Sequence, residues 1–372
     1  MPLQKNAGAV RRFAGLMKFV GWLQNIPNKV TPPPFRLMQI SSAFWQSRGL
    51  HVAARLNIAE ILGDERLAVD KIAIRVSAKP DAIYRLLRML AAMGIFEEVS
   101  PRVFANNRLS QPLRDGRPDS VRAMILMHNS DEMSRPWYEQ LEKCVREGGV
   151  PFALAHGKEL YDYMDSHTEF DALFSRAMDS VEALIGDSFA RDFDWGHFER
   201  VIDIGGSKGS KSLAILKRHS HLRALVVDRA QVTHDAERYW EAREAPALLA
   251  RLSFQAGDLL EAVPTATSGK DIYLLSGVLH GFDDETCVKA LLNLARACGG
   301  TGARIALIEL VMAECGTDLA GAAFDMQMFM GTHGRERTLT EWSKLFDMSG
   351  LVLEEQVNLQ SFVKILVLKL KQ

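Results

Sequence analysis

A series of apolar segments in the second half of the chain constrains the fold more than any other feature of the sequence. Each segment is short, rich in aliphatic residues, and typical of a buried β-strand. The segments are RVIDI (200–204), RALVVD (223–228), LSFQAGD (252–258), DIYLLSGVLH (271–280) and ARIALIEL (303–310). Helical stretches separate most of them, which predicts an α/β, Rossmann-like, doubly wound domain. The final LEEQVNLQSFVKILVLKLK adds two strands, predicted to form an edge hairpin.

A glycine-rich turn, IGGSKG, follows the first of these strands and the acid Asp203. Its spacing does not fit the GxGxxG fingerprint of dinucleotide-binding folds, and Asp203 would repel a pyrophosphate. A ligand without phosphate that carries positive charge can use the glycines for close approach of the backbone and tolerate the acid. S-adenosylmethionine is such a ligand, and we predict it as the cofactor.

Two further acids follow the next strands in order. Asp228 closes the second strand and is placed to accept from ribose hydroxyls, while Asp258 can accept from an adenine amino group, with Leu259 against the ring. A single acid at a strand end is commonly only a helix cap. Three acids in succession favour a nucleoside site at the carboxyl end of the sheet.

His280 is the candidate catalytic base, because it lies at the same rim of the predicted sheet. A group with a near-neutral pKa suits deprotonation of a hydroxyl nucleophile, and Glu309 and Glu336 are candidates to orient the imidazole and stabilise its cation. Two alternatives stay open: His280 as a structural hydrogen-bonding residue, and GRERT (334–338) as a solvated loop before a capping box formed by Thr338 and Glu341.

The first half of the chain is predicted to be mainly helical. Residues 1–36 form a basic amphipathic arm, 37–113 a winged-helix-like domain, 114–190 a helical linker and pocket region, and 191–372 the cofactor-binding domain. The second helix of the winged-helix pattern carries arginines, but acids lie among them and the net charge is only −1, which disfavours nucleic-acid binding. Packing of the arm on its own subunit or a partner is favoured over membrane contact.

Four cysteines, at positions 144, 287, 298 and 315, have no CxxC spacing. Isolated cysteines of this kind indicate reduced thiols, and we therefore predict a cytoplasmic protein.

The chain resembles the class I S-adenosylmethionine-dependent O-methyltransferases of the plant-type and bacterial small-molecule family, which includes caffeate, acetylserotonin and hydroxyneurosporene O-methyltransferases. The resemblance covers Leu37 to the C-terminus. It is carried in family order by AARLNIAEIL, YRLLRMLAAMGIFEE, AHGKELYDYM, FSRAM, VIDIGGSKG, GDLL, LHGFDDETCVKALLN and GRERTLTEW.

The resemblance implies a homodimer formed through the N-terminal domain, without contact to DNA, and release of S-adenosylhomocysteine. It implies the catalytic set of His280, Glu309 and Glu336. The predicted cofactor contacts are Asp203, Gly205, Gly206, Asp228, Asp258, Leu259, Ser276 and Phe282. The predicted acceptor pocket comprises Trp137, Phe174, Met178, Met328 and His333.

The sequence departs from the family pattern in three places. Ser207 replaces a glycine of the cofactor turn. Gly281 replaces an acid that commonly follows the histidine, which disfavours the metal-dependent C-methylating relatives, and no metal is predicted. His333 and Arg335 add cationic residues to a loop often occupied by Gly and Lys. Two interpretations stay open: these cationic residues suit an acidic acceptor, or Arg335 is simply solvated.

Methyl transfer to a hydroxyl of a small acceptor is thus the predicted function. The alternatives are S-methylation of a methylthio acid, which needs no base, and a non-catalytic winged-helix regulatory protein.

Overall fold

The structure is a computed structural model, and it describes residues 2–371. The chain divides into two compact units, each treated separately below. The helical unit comprises Trp22–Ile185. The sheet unit comprises the residues up to Gly21 together with those from Gly186 onwards. The finer division into four segments stays a prediction.

The chain begins with a short extended segment tied to the sheet unit. The Lys5 amide donates to the Asp192 carbonyl at 2.7 Å, and the Leu3 amide donates to Glu355 at 2.8 Å. Helix α1 (Ala7–Val30) follows, and α2 begins at Pro33, where the first helical turn tolerates proline. None of the helices described between residues 2 and 371 combines the length and apolar character that crossing a bilayer requires.

The helical unit holds a small three-stranded sheet of order β1-β3-β2 among its first helices. A winged-helix pattern consists of helix, turn, helix and hairpin, and here residues 69–75 and 80–92 form the helices and residues 96–106 the hairpin. The short strand at residues 66–68 was not predicted. The elements are α2 (Pro33–Ser41), α3 (Ala43–Arg55), α4 (Ile58–Leu62), β1 (Arg66–Ala68), α5 (Val69–Arg75), α6 (Pro80–Ala92), β2 (Phe96–Ser100) and β3 (Val103–Asn106). A core cluster that includes Ile72, Leu87 and Phe104 joins the elements from α3 to β3.

Helices make up most of the rest of this unit. Within the predicted helical region 114–190, the segment PWYEQLEKCVREG is divided between two helices, because Gln140 leaves the helical conformation with φ −123°. The elements are α7 (Arg122–His128), α8 (Asp131–Glu139), α9 (Leu141–Glu147), α10 (Pro151–His156), α11 (Leu160–Ser166) and α12 (Thr168–Ile185).

The sheet unit is built on a seven-stranded sheet of order β11-β12-β8-β7-β4-β5-β6. Strands β4 to β8 are parallel, and β12 pairs antiparallel with β8 and β11, which confirms the predicted edge hairpin. Central strands are buried along nearly their whole length, because helices cover both faces. The strands are β4 (Arg200–Ile204), β5 (Arg223–Asp228), β6 (Leu252–Ala256), β7 (Asp271–Ser276), β8 (Arg304–Glu309), β11 (Leu351–Asn358) and β12 (Lys364–Leu370).

The helices of this unit connect the strands, and a two-residue parallel pair, β9 and β10, lies beside them. The remaining elements are α13 (Ser188–Asp192), α14 (Ser210–Arg218), α15 (Ala230–Glu241), α16 (Pro246–Leu249), α17 (Asp284–Cys298), β9 (Val311–Met312), α18 (Leu319–Gly331), β10 (Arg337–Thr338) and α19 (Leu339–Met348). The predicted capping box of Thr338 and Glu341 is present at the start of α19.

The fourth strand is shorter than predicted. It ends at Ser276, because Gly277 adopts a positive φ of 61°, and His280 lies beyond it in a 3₁₀ turn, Leu279–Gly281. His280 therefore follows the strand rather than closing it. β4 lies where the strand order reverses, so the loops after β4, β5 and β7 meet at the edge where ligands bind in such sheets.

Candidate active site

The glycine-rich turn between β4 and α14 presents bare backbone. A Cβ added to Gly205 would lie 2.9 Å from Val278, and one added to Gly209 would lie 2.8 Å from Val226. Both glycines also have a positive φ, 68° and 75°, a conformation that is unfavourable for residues with a β-carbon. This turn allows close approach of a ligand to the backbone.

Asp203 lies beneath this turn. Its side chain is buried, accepts a hydrogen bond from the Ser212 hydroxyl at 2.7 Å, and lies within 3 Å of the point that a Gly206 Cβ would occupy. The carboxylate is thus enclosed by the turn that follows it. Gly206 has to be glycine because the acid already fills that space.

Ser207 and Lys208 are held by specific contacts. Ser207 has a positive φ of 51°, and its amide donates to the Asp228 carboxylate at 2.8 Å. The Lys208 carbonyl accepts from the Trp240 indole at 2.5 Å, and its ammonium lies 5.2 Å from the centre of the Tyr239 ring. These contacts fix the turn against the end of β5 and against α15.

The other predicted cofactor residues lie along the same edge of the sheet. Asp228 accepts from two backbone amides, and Asp258, two residues beyond β6, accepts from the Leu260 amide at 2.8 Å. An ionised carboxylate has about four lone-pair positions, so both acids keep capacity to accept from a ligand. Leu259 is buried in the core of the sheet unit, Ser276 ends β7, and Phe282 packs half-buried against the same core.

His280 and Glu336 are in direct contact. The Nδ1 atom of His280 lies 2.7 Å from the Glu336 carboxylate, which is buried, while 18% of the histidine side chain is exposed. Because the carboxylate can only accept, we assign the proton to Nδ1, and Nε2 is left as the basic nitrogen.

Glu309, at the end of β8, is the second acid at this histidine. It accepts from the Leu279 amide at 3.2 Å, and its other oxygen is buried and has no hydrogen-bond partner among the described residues. Burial raises the pKa of Glu309 to about 7, against the opposing effect of His280. Burial alone would lower the pKa of His280, but the hydrogen bond to Glu336 and the charge of Glu309 outweigh it and raise that pKa above 6.5.

The ligand atoms of His280, Glu309 and Glu336 lie within 4.8 Å of one another, a spacing that a metal ion could bridge. The short Nδ1 contact to Glu336 is instead the geometry of a hydrogen-bonded histidine–carboxylate pair. The structure therefore brings together the three residues predicted as catalytic, and their arrangement suits proton transfer.

Two residues that the sequence did not single out hold the loop of Glu336 against the histidine. A Cβ on Gly334 would overlap the His280 carbonyl oxygen and lie 2.6 Å from the Phe282 nitrogen. Arg337 is fully buried and donates to the Phe282 carbonyl and the Asp284 carboxylate, both at 2.8 Å. The only sequence signal was their position within GRERT.

Phe324 is a third residue that the sequence did not identify. It lies on α18, with its ring centre 5.9 Å from that of His280. The predicted pocket residue Met328 lies one turn further along this helix, half-buried, and His333 is exposed after the helix ends. Arg335 is 47% exposed and forms ion pairs with Asp284 and Glu341, as in a solvated loop with internal ion pairs.

The remaining predicted pocket residues belong to the helical unit. Trp137 lies on α8, and Phe174 and Met178 lie one turn apart on α12, all three half-buried. The rings of Phe170 and Phe174 are 6.2 Å apart. The role of these three side chains stays a prediction.

Comparison with known proteins gives the family. The model of an O-methyltransferase domain matches residues 138–352, and that of an O-methyltransferase dimerisation domain matches residues 38–114. Phenazine O-methyltransferase PhzM of Lysobacter antibioticus is 31% identical over 319 residues, which are 86% of this chain and 91% of that protein.

Solved structures agree with this. The crystal structure of LaPhzM has a TM-score of 0.83 at 29% identity, and the match covers 92% of this chain and all of that one. The methyltransferase CalO1 of calicheamicin biosynthesis, in its S-adenosylhomocysteine-bound form, has a TM-score of 0.77 at 28% identity, covering 91% and 98%. From the cofactor turn, the histidine–carboxylate pair and these matches, the chain belongs to the S-adenosylmethionine-dependent O-methyltransferases.

Proposed function

We propose that His280 is the general base for methyl transfer to a hydroxyl of a small-molecule acceptor. The 2.7 Å contact between Nδ1 and Glu336 carries this proposal, because it favours the tautomer in which Nε2 is the unprotonated nitrogen and can accept a proton. Glu309 adds a second buried carboxyl group beside the ring, and its ionised form stabilises the imidazolium produced by the transfer.

Residues at the carboxyl end of the sheet are proposed to bind the cofactor. The bare backbone at Gly205 and Gly206 suits close approach of the cofactor, Asp228 suits its ribose hydroxyls, and Asp258 its adenine amino group. When bound, S-adenosylmethionine supplies an already activated methyl group. The residues of this chain then mainly hold, orient and deprotonate the acceptor.

The acceptor is proposed to lie beside Phe324 and Met328 on α18, near His280. That Trp137, Phe174, Met178 and His333 contribute to acceptor binding stays a prediction from the family resemblance. The acceptor is a small molecule bearing a hydroxyl group, and a screen with labelled cofactor would identify it.

Replacing His280 with alanine tests the base. We expect kcat to fall by about 10²–10⁴-fold, the usual contribution of a general base, while calorimetry gives an unchanged Kd for S-adenosylmethionine. The control is His219→Ala, which removes a half-buried histidine that contacts the Ala190 carbonyl elsewhere in the same unit. Assays in the presence of a chelator test the prediction that no metal is needed.

The pH profile adds a second readout. His280 has to be neutral to accept a proton, and its pKa is raised above 6.5. Lowering the pH protonates it, so kcat/KM should fall as the pH drops through a midpoint above 6.5. A His280→Ala enzyme with the rate of the wild type would contradict the proposal. It would favour methylation of sulfur, which has no proton to lose.

We further propose a homodimer formed through the N-terminal domain and a cytoplasmic location, without nucleic-acid binding. The dimerisation-domain match supports the homodimer. The near-neutral net charge of −1 is consistent with the absence of nucleic-acid binding.

A further inference from the structure

Arg337 is a charged side chain in the interior of the sheet unit. Its side chain is fully buried, which is costly for a cation unless its donors are satisfied. Nε and Nη2 donate to one oxygen of Asp284 at 3.0 and 2.8 Å, and the guanidinium lies 5.1 Å from the centre of the Trp342 ring. This partner set stabilises the cation and fixes its position.

The same guanidinium spans the turn that carries His280. Nη2 donates to the Phe282 carbonyl at 2.8 Å, and Nη1 to the Leu279 carbonyl at 3.3 Å, so one planar group holds carbonyls on both sides of the histidine. Such a fork is specific to arginine, since a lysine ammonium is a single point of attachment.

The Leu279 peptide is also held from its other side. Its amide donates to Glu309 at 3.2 Å, and its carbonyl accepts from the Cys287 thiol at 3.2 Å. Arg337 is adjacent in sequence to Glu336, whose amide donates to Asp325 at 2.8 Å. The residue that anchors the histidine turn is therefore bonded directly to the residue that contacts the imidazole.

We infer that Arg337 is a positioning residue that sets the contact between His280 and Glu336. Its guanidinium holds the turn at both carbonyls, and Arg337 directly follows Glu336 in the chain, so one residue is linked to both sides of a 2.7 Å hydrogen bond. The inference rests on the proposed function, because the contact between His280 and Glu336 matters for catalysis only if His280 is the general base.

The test variant is Arg337→Lys, which keeps the charge and removes the fork. We expect kcat to fall by about 10- to 100-fold, as for a misplaced catalytic group, with an unchanged Kd for S-adenosylmethionine. The acidic limb of the pH profile, where kcat/KM falls with falling pH, should also move to lower pH. This is expected because a loosened contact to Glu336 weakens the main influence that raises the pKa of His280. Glu309 and Glu336 are the charged groups that act directly on the imidazole, while Arg337, Asp284 and Asp325 hold the segments around it.

Arg251→Lys is the matched control. Arg251 also donates to backbone carbonyls, of Leu216, His219 and Leu222 at 3.0 Å, but at the end of α14 and the start of β5. This variant should lose stability without a change in kcat or in the acidic limb. Asp284→Asn gives a second route if Arg337→Lys does not fold. It weakens the half-exposed anchor of the guanidinium and should move the limb in the same direction by less.

A double-mutant cycle separates positioning from a general structural effect. If Arg337 acts through Glu336, Arg337→Lys combined with Glu336→Gln should lose no more activity than Glu336→Gln alone. Additive losses, or an acidic limb that stays at the wild-type pH in both Arg337→Lys and Asp284→Asn, would overturn the inference. A wild-type profile without an acidic limb, or an active His280→Ala enzyme, would instead overturn the proposed function.

Discussion

Ser207 holds a backbone conformation that costs free energy for any residue with a β-carbon. Its φ is 51°, and this left-handed region disfavours non-glycine residues by about 1–2 kcal/mol. The contact that it makes with Asp228 comes from the backbone amide, which a glycine would retain. The serine is therefore tolerated because its neighbours fix the turn, and its hydroxyl forms no hydrogen bond within residues 2–371.

We expect Ser207→Gly to stabilise the protein by up to about 1 kcal/mol, since relief of strain exceeds the entropy that glycine loses on folding. Its affinity for S-adenosylmethionine should stay within about twofold, as no backbone donor is lost. Denaturant unfolding and calorimetry measure these two quantities. Ser343→Gly, within α19, is the control that should destabilise, because glycine disfavours helix interiors. A clear loss of cofactor affinity in Ser207→Gly would assign a function to the hydroxyl.

Single residues differ in how far the sequence predicts them. His280 and Glu336 carry recognisable chemistry, and the structure places them in contact. Gly334 and Arg337 act through shape and burial, which depend on a chain segment more than fifty residues away. A sequence pattern gives residue types in order but not which backbone carbonyl an arginine reaches, so these two were missed.

Elements were predicted best where the apolar pattern is long. The parallel strands from β4 to β8 lie within the predicted segments, because a strand buried on both faces needs a continuous apolar run. The end of β7 was misplaced, since Val278 and Leu279 continue the apolar run after the backbone has turned at Gly277. β1 was missed because three residues are too short to show alternation.

The loop before β10 depends on Gly334 as much as on its charged residues. Backbone atoms of residues 280–282 occupy the space of a β-carbon there, and unlike side chains they cannot rotate away. We expect Gly334→Ala to displace the loop, to destabilise the protein by about 1–3 kcal/mol as overpacking does, and to lower kcat by about 100-fold through the displaced Glu336. Thermal unfolding and steady-state kinetics test this.

Gly281→Ala is the matched control for that loop. It lies in the facing turn, has no positive φ, and no atom lies within 4 Å of its added Cβ. It should therefore fold with the stability of the wild type. A Gly334→Ala enzyme with a normal kcat would show that the contact between the two turns is not needed for catalysis.

At the scale of the whole molecule, large apolar side chains are exposed along the first three helices. A monomer rarely leaves many such residues in one stretch of chain without covering them. The exposed residues include Leu16, Met17, Leu23, Val30, Phe35, Leu37, Met38, Ile40, Phe44 and Trp45. The sequence predicted an amphipathic arm and a dimerisation domain here, but exposure depends on the folded chain and could not be predicted.

We expect these residues to be covered in the homodimer. Leu37→Glu combined with Met38→Glu places two charges where both side chains are 68% exposed in the single chain, so the fold should persist while the dimer dissociates. Light scattering after gel filtration measures the mass, and circular dichroism the helix content. Met348→Glu, a 66% exposed residue at the end of α19, should leave the dimer intact. A dimer that survives the double substitution would place the interface elsewhere on the chain.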